Sequence, residues 1–166
     1  RIKNGRHPVV ERMMGGEIRK LRQSFQYAVR GVMLCMHTER NFRIHLTAAC
    51  YVTLLAVLCR LSATKCAVLA LCFGVMMGAE LMNTAIECLC DWKASGYDRA
   101  VRDAKDIAAA GVFVCAVACA VIGLIFFIPE LDTILDALHT HPTLIFVLIF
   151  SAPCALWFIF RFGRKR

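Results

Sequence analysis

The rhythm of apolar positions changes near residue 44. Before it, Ile18, Leu21, Phe25, Val29, Val32 and Met36 recur at steps of three or four, opposite Arg19, Lys20, Arg22 and Arg30. This pattern over Glu17–His37 predicts a basic amphipathic helix lying along a membrane surface. Beyond it the apolar runs become continuous. Ile44–Cys59 carries His45 as its one ionisable polar group, and Cys66–Cys90 is long but holds Glu80, Asn83 and Glu87. Ile107–Ile128 has 22 residues without a charge, about 33 Å as a helix at roughly 1.5 Å per residue. Thr143–Phe160 is a fourth run, followed by Arg161, Arg164, Lys165 and Arg166. Residues 1–16, with His7-Pro8 and Gly15-Gly16 as breakers, read as a flexible basic lead-in.

Composition agrees with lipid as the solvent. The chain has 166 residues, 59% of them apolar, with a mean hydropathy of +0.61, more apolar surface than a soluble domain of this size could hide. The expected fold is an all-α membrane protein: a surface helix, three transmembrane helices and a fourth. The net charge of +8 does not signal nucleic acid, because no RNA- or DNA-binding module is present. The basic residues cluster instead beside the apolar runs. The N-terminal arm, the Asp91–Lys105 loop and the C-terminal tail carry 18 of the 20 Lys and Arg. The loop Pro129–Pro142 has Glu130, Asp132 and Asp136 and no basic residue. By the positive-inside rule both termini and the middle loop face the cytoplasm, which four spans satisfy. No cleavable signal peptide is expected, since the first forty residues lack a long apolar core. The ten cysteines sit largely in apolar runs, where Cys acts as a small hydrophobe. Cys115 and Cys119 share a helix face, but no third ligand stands nearby to make a zinc site.

Candidate chemistry gathers on the second span. Glu80, Asn83, Glu87 and Asp91 are spaced three, four and four apart, within roughly 80° of arc at 100° per residue. Carboxylates inside an apolar span are costly and usually line a functional site; the alternative for Glu87 and Asp91 is that they mark the helix end. Glu39-Arg40-Asn41 before the first span and Lys105-Asp106 before the third reach the same cytoplasmic level. Carboxylates with a Lys there suit a divalent cation and a polyphosphate, since Mg²⁺ commonly bridges one or two carboxylates to substrate phosphates. A deeper, drier carboxylate could take a proton from a lipid hydroxyl. No GxxxxGK[ST] or GxGxxG loop is present. Spacing therefore supports a metal-dependent site at the membrane surface without naming the reaction. Gly74 and Gly78 form a GxxxG, and Ala108-Ala109-Ala110-Gly111 gives another small-residue face; both favour close helix packing.

From Ser24 to Pro129 the chain resembles the prokaryotic diacylglycerol kinase and undecaprenol kinase family, through SFQYAVRG, ERNFRIH, GAELMNTAIECLCDW and AKDIAAAGV. ERNFRIH looks like the undecaprenol kinase branch. The resemblance implies a homotrimer of small helical subunits in the bacterial inner membrane, with active sites between neighbouring subunits at the cytoplasmic face. It implies Glu80 as catalytic base, and Glu39 and Glu87 as ligands of the Mg²⁺ that bridges ATP. Lys105, Asp106, Lys20 and Tyr27 would join Glu39 and Glu87 in the nucleotide site, with Asn83, Asp91 and Arg43 supporting. Residues 17–129 would then be the membrane lipid kinase domain, and 130–166 an extra loop, a fourth transmembrane helix and a basic tail. The family often carries His near the position of Asp98, which leaves that part of the nucleotide site open. The expected reaction is ATP-dependent phosphorylation of undecaprenol, with diacylglycerol as the alternative lipid. A transporter or channel subunit is the alternative from another class, but Cys66–Ala79 offers no polar path across the second span.

Overall fold

The computed structural model describes residues 8–93, 96 and 98–163. Positions 1–7 of the lead-in, 94, 95 and 97 of the middle loop and 164–166 of the basic tail lie outside the described residues. Among the described residues the chain forms α1 (Pro8–Thr38), α2 (Arg40–Leu58), α3 (Ala63–Lys93), α4 (Arg99–Phe127), a short 3-10 turn (Ile128–Glu130), α5 (Leu131–Thr140) and α6 (Pro142–Arg161), with no strand. Helices α2, α3, α6 and the stretch containing α4 are each long and apolar enough to cross a membrane. The all-α multi-pass expectation holds.

The chain divides into two compact units, residues 1–34 and 35–166. The first consists of α1 up to Leu34. This helix begins at Pro8, nine residues earlier than the periodicity predicts. Proline at the first helical position lacks only an N–H that has no partner there anyway, and its φ already suits a helix. Glu11, Arg12, Met13 and Met14 are good helix formers, against which Gly15 and Gly16 cost about 1 kcal/mol each relative to Ala. The lead-in is therefore helical from Pro8 onward.

In the second unit α3 and α4 pack most extensively on one another, and α2 packs on α3 and on α6. The buried face of α3 is a stripe of Leu69, Cys72, Met76, Glu80 and Thr84, residues at steps of three and four that share one side of the helix. It is apolar for two turns and then becomes polar at Glu80. All ten cysteines are free; Cys119 Sγ lies 3.5 Å from the Cys72 carbonyl oxygen and binds α4 to α3. On the other side of α2, Tyr51 donates its hydroxyl hydrogen to Ser151 Oγ of α6 at 2.9 Å.

The spans begin earlier than hydropathy marks them, so residues expected at interfaces are first helical turns. Arg40 and Asn41 open α2. Asp98 caps α4, its Oδ1 accepting from the Ala100 N–H at 2.8 Å, which satisfies one of the donors a helix N-terminus leaves over. The position where the resemblance departs thus holds a helix cap. The expected loop between Pro129 and Pro142 is a second correction: it is the 3-10 turn and α5. Leu131, Ile134, Leu135 and Leu138 repeat at helical spacing, a signal the flanking prolines and three acidic residues obscured.

Helix α2 ends in an unusual way. The Leu61 N–H bonds the Ala56 carbonyl at 3.0 Å and the Arg60 N–H bonds that of Val57 at 3.1 Å, the pair of bonds that closes a Schellman motif. The residue that must be left-handed there is Arg60, at φ 49°, where glycine is usual. Arg60→Gly should relieve roughly 1 kcal/mol of left-handed strain, read as a raised thermal midpoint in detergent; a lowered midpoint would contradict it.

Candidate functional site

At the ends of α1, α2, α3 and α6 within the second unit lies a cleft of about 700 Å³, lined by His37, Glu39, Arg43, Glu87, Phe160 and Gly163 among others. Glu39 is the single residue between α1 and α2, with φ −98° and ψ 117°. Its backbone N–H bonds the Cys35 carbonyl at 2.8 Å. It occupies the N-cap position of α2, yet its side chain makes no cap hydrogen bond, so the carboxylate is available to the cleft.

Four residues later, Arg43 is buried at 6% exposure. A charge so placed needs hydrogen bonds on every side, and it finds them on backbone. Its Nε donates to the Ile159 carbonyl at 3.0 Å, and its Nη1 donates to those of Met36 and His37 at 3.0 and 3.2 Å. Met36 and His37 belong to the last turn of α1, and Ile159 to the last turn of α6. The last four carbonyls of a helix have no intrahelical partner, and the negative end of the helix dipole favours a cation. One guanidinium therefore caps two helices.

On α3 the polar stripe is observed, with its members in different circumstances. Asn83 Nδ2 donates to Glu87 Oε1 at 2.7 Å, which orients the Glu87 carboxylate at the cleft. Asn83 Oδ1 is buried without a hydrogen bond, and so is Glu80 Oε1. Glu80 is the most buried large side chain, at 2% exposure. His45 Nε2 of α2 stands 3.3 Å from Glu80 Oε1, but not along a hydrogen-bonding direction. A buried acceptor without a partner calls for a donor, and a hydroxyl could serve one of these two. Glu80 and Glu87 are separated by two turns, roughly 10 Å along the helix at 1.5 Å per residue. Beside Glu80 an apolar groove of about 250 Å³ runs between α2, α3 and α4, lined by His45, Ala49, Met76, Met77, Ala116 and Cys119 among others.

The remaining predicted residues of the second unit are not among those lining the cleft. Lys105 on α4 is hydrogen-bonded to Asp91 at the end of α3, so these two are partners of each other across the middle loop. Asp106 is exposed and does not line the cleft. Lys20 and Tyr27 belong to the first unit, where both are exposed, and Lys20 pairs with Glu17 at 2.8 Å. The structure thus joins Glu39, Arg43 and Glu87 at one cleft and Asn83 to Glu87, with Glu80 deeper on the same helix.

The cleft also holds aromatic and glycine neighbours that sequence reasoning missed, and they meet residues it had placed nearby. Arg40 lies over the Phe160 ring, 5.9 Å from its centroid. His37 stacks on Phe162 with centroids 4.9 Å apart. Gly163, at φ 75°, was foreshadowed by a glycine just past an apolar run. The backbone acceptors of Arg43 had no sequence signal.

Among the described residues no three His, Cys, Asp or Glu side chains form a group able to hold a metal ion. Two carboxylates at one cleft, one of them oriented by an amide, fit a hard cation that completes its shell from water and phosphate oxygens, as Mg²⁺ does. They do not fit a cation that demands an all-protein cage.

Comparisons with known proteins agree on one family. The family model for prokaryotic diacylglycerol kinase matches residues 26–127. An undecaprenol kinase of Bacillus subtilis (strain 168) is 39% identical over 115 residues, which is 69% of this chain and 94% of that protein. A diacylglycerol kinase of Synechocystis sp. is 39% identical over 109 residues, 65% of this chain and 62% of its own length. No solved structure matches.

The double cap by Arg43 is directly testable. Arg43→Lys keeps the charge but supplies a single nitrogen, which cannot reach both helix ends. It should leave a buried carbonyl unpartnered, at a cost of roughly 1–3 kcal/mol, seen as a lower thermal midpoint in detergent. An unchanged midpoint would show that the two caps contribute nothing.

Proposed function

The chain belongs to the prokaryotic diacylglycerol kinase family, and from that membership we propose that it transfers the γ-phosphoryl group of ATP to the hydroxyl of undecaprenol. The observation that carries the choice of lipid is the undecaprenol kinase relative, matched over 94% of its length. Diacylglycerol is the second reading, favoured by the relative of that name at equal identity. Both substrates present one hydroxyl at a bilayer surface on an apolar tail, and the apolar groove beside Glu80 suits such a tail.

In this reading the lipid hydroxyl donates its one hydrogen to Glu80 Oε1, while Asn83 holds Glu87 through its Nδ2. The hydroxyl oxygen attacks the γ-phosphorus, the bond from that phosphorus to the ADP oxygen breaks, and the hydroxyl proton passes to the Glu80 carboxylate. Glu39 and Glu87 would hold Mg²⁺, which when bound neutralises charge on the ATP phosphates. Lys105 and Asp106, with Lys20 and Tyr27 of α1, would contact the nucleotide. The cleft would face the cytoplasm, following the distribution of basic residues. Assembly as a homotrimer belongs to the same reading.

Purified protein in detergent, labelled ATP and Mg²⁺, with undecaprenol and diacylglycerol compared side by side, decides between the lipids. In that assay Glu80→Gln should reduce phosphorylation by at least the roughly 10²-fold expected for loss of a general base, with assembly unchanged. Activity within a few-fold of wild type would remove Glu80 from the role. Glu39→Gln and Glu87→Gln should each raise the Mg²⁺ requirement, and the double variant should cost little more than either, because groups acting as a unit are non-additive. Additive losses with unchanged Mg²⁺ dependence would make them separate structural carboxylates.

A further inference from the structure

Helix α6 lies outside the residues matched to the family, yet its last turn lies at the cleft. Phe160 and Gly163 line it together with Glu39 and Glu87. The contacts fall on both flanks of Glu39. On one side, Arg43 ties the Met36 and His37 carbonyls to that of Ile159, and the His37 ring stacks on Phe162. On the other, Arg40 lies over Phe160.

Gly163 shows how close the approach is. A Cβ at this position would come within 2.1 Å of the His37 carbonyl oxygen, and the backbone there has φ 75°, which an L side chain rarely adopts. The Phe162 ring is itself held, 6.3 Å from Trp157 and 5.2 Å from Phe158 between centroids. Glu39 has no hydrogen bond of its own side chain to α2, so its place is set by its neighbours in the chain. Those neighbours are the residues that α6 grips.

We propose that the end of α6, through Phe162, Gly163 and the Ile159 carbonyl, is a positioning element that sets where the Glu39 carboxylate stands toward a divalent cation. The proposal rests on the reading of Glu39 and Glu87 as the cation-holding pair. It assigns the fourth span a task at the cleft beyond returning the chain across the membrane. Phe162 and Gly163 are positioning residues, since they act through Glu39.

Mn²⁺ serves as the probe, its binding followed by electron paramagnetic resonance in detergent with a non-hydrolysable ATP analogue present. Gly163→Ala and Phe162→Leu should each weaken Mn²⁺ binding about tenfold, within the roughly 10²-fold that a 1 Å misplacement can cost. They should raise the Mg²⁺ requirement of any lipid phosphorylation while leaving KM for the lipid in place. Ser151→Ala is the control: it loosens α6 from α2 at Tyr51, away from the cleft, and should leave Mn²⁺ binding at the wild-type level. Phe162→Tyr should restore it, because the ring stack is kept. Wild-type Mn²⁺ affinity in both Gly163→Ala and Phe162→Leu overturns the proposal, as does equal weakening by Ser151→Ala, which would mean that α6 matters only for general stability. Should Gly163→Ala fail to fold, Phe162→Leu carries the test alone. Wild-type protein that binds Mn²⁺ but phosphorylates no lipid would overturn the kinase reading and leave this proposal standing; wild-type protein that binds no Mn²⁺ would overturn the proposal itself.

Discussion

A single buried cation organises the end of the second unit where the candidate chemistry lies. Arg43 reaches the last turn of α1 and the last turn of α6 with one planar group. Its charge is met by carbonyl dipoles at two helix ends, and among the described residues it forms no ion pair with a carboxylate. Arginine suits this task better than lysine because its donors diverge in a fixed plane and it stays charged when buried. Without it, two helix termini would be left with uncapped carbonyls, and the Glu39 junction would lose its anchor on one side.

The second organising feature is the buried face of α3. The stripe Leu69, Cys72, Met76, Glu80 and Thr84 is one continuous surface in geometry but two in chemistry. Its apolar part lies where α3 packs against α2 and α4, and its polar part continues the same buried face. Glu80 belongs to both the core stripe and the polar stripe, which is why it is so completely enclosed. Its place on the buried helix face sets that carboxylate, whose Oε1 has no hydrogen bond.

Much of this was legible in the chain itself. Four apolar runs foretold four long helices, and the spacing of Glu80, Asn83, Glu87 and Asp91 foretold a shared face. Boundaries were less legible, since polar residues such as Arg40, Asn41 and Arg99 sit in helical first turns that hydropathy alone excludes. The helix at α5 was masked by prolines and acids at its edges. Interactions that end on backbone were invisible altogether: nothing in the identities of Met36, His37 or Ile159 marks them as partners of Arg43. The pairing of Lys105 with Asp91 was hidden for a related reason, because Lys105 was read toward a nucleotide and Asp91 only as support for the stripe or as a helix end.

The enclosure of Glu80 bears on what such a site would do when its lipid is absent. Any enzyme that activates an alcohol toward ATP must avoid activating water, which is smaller and far more abundant. A carboxylate at 2% exposure, beside an apolar groove, offers bulk water little approach. An alcohol carried on a hydrocarbon chain can arrive through the membrane and leave its own hydration behind. In the proposed reaction, selectivity for transfer over wasteful hydrolysis would then come from the route of approach rather than from recognition of the hydroxyl itself.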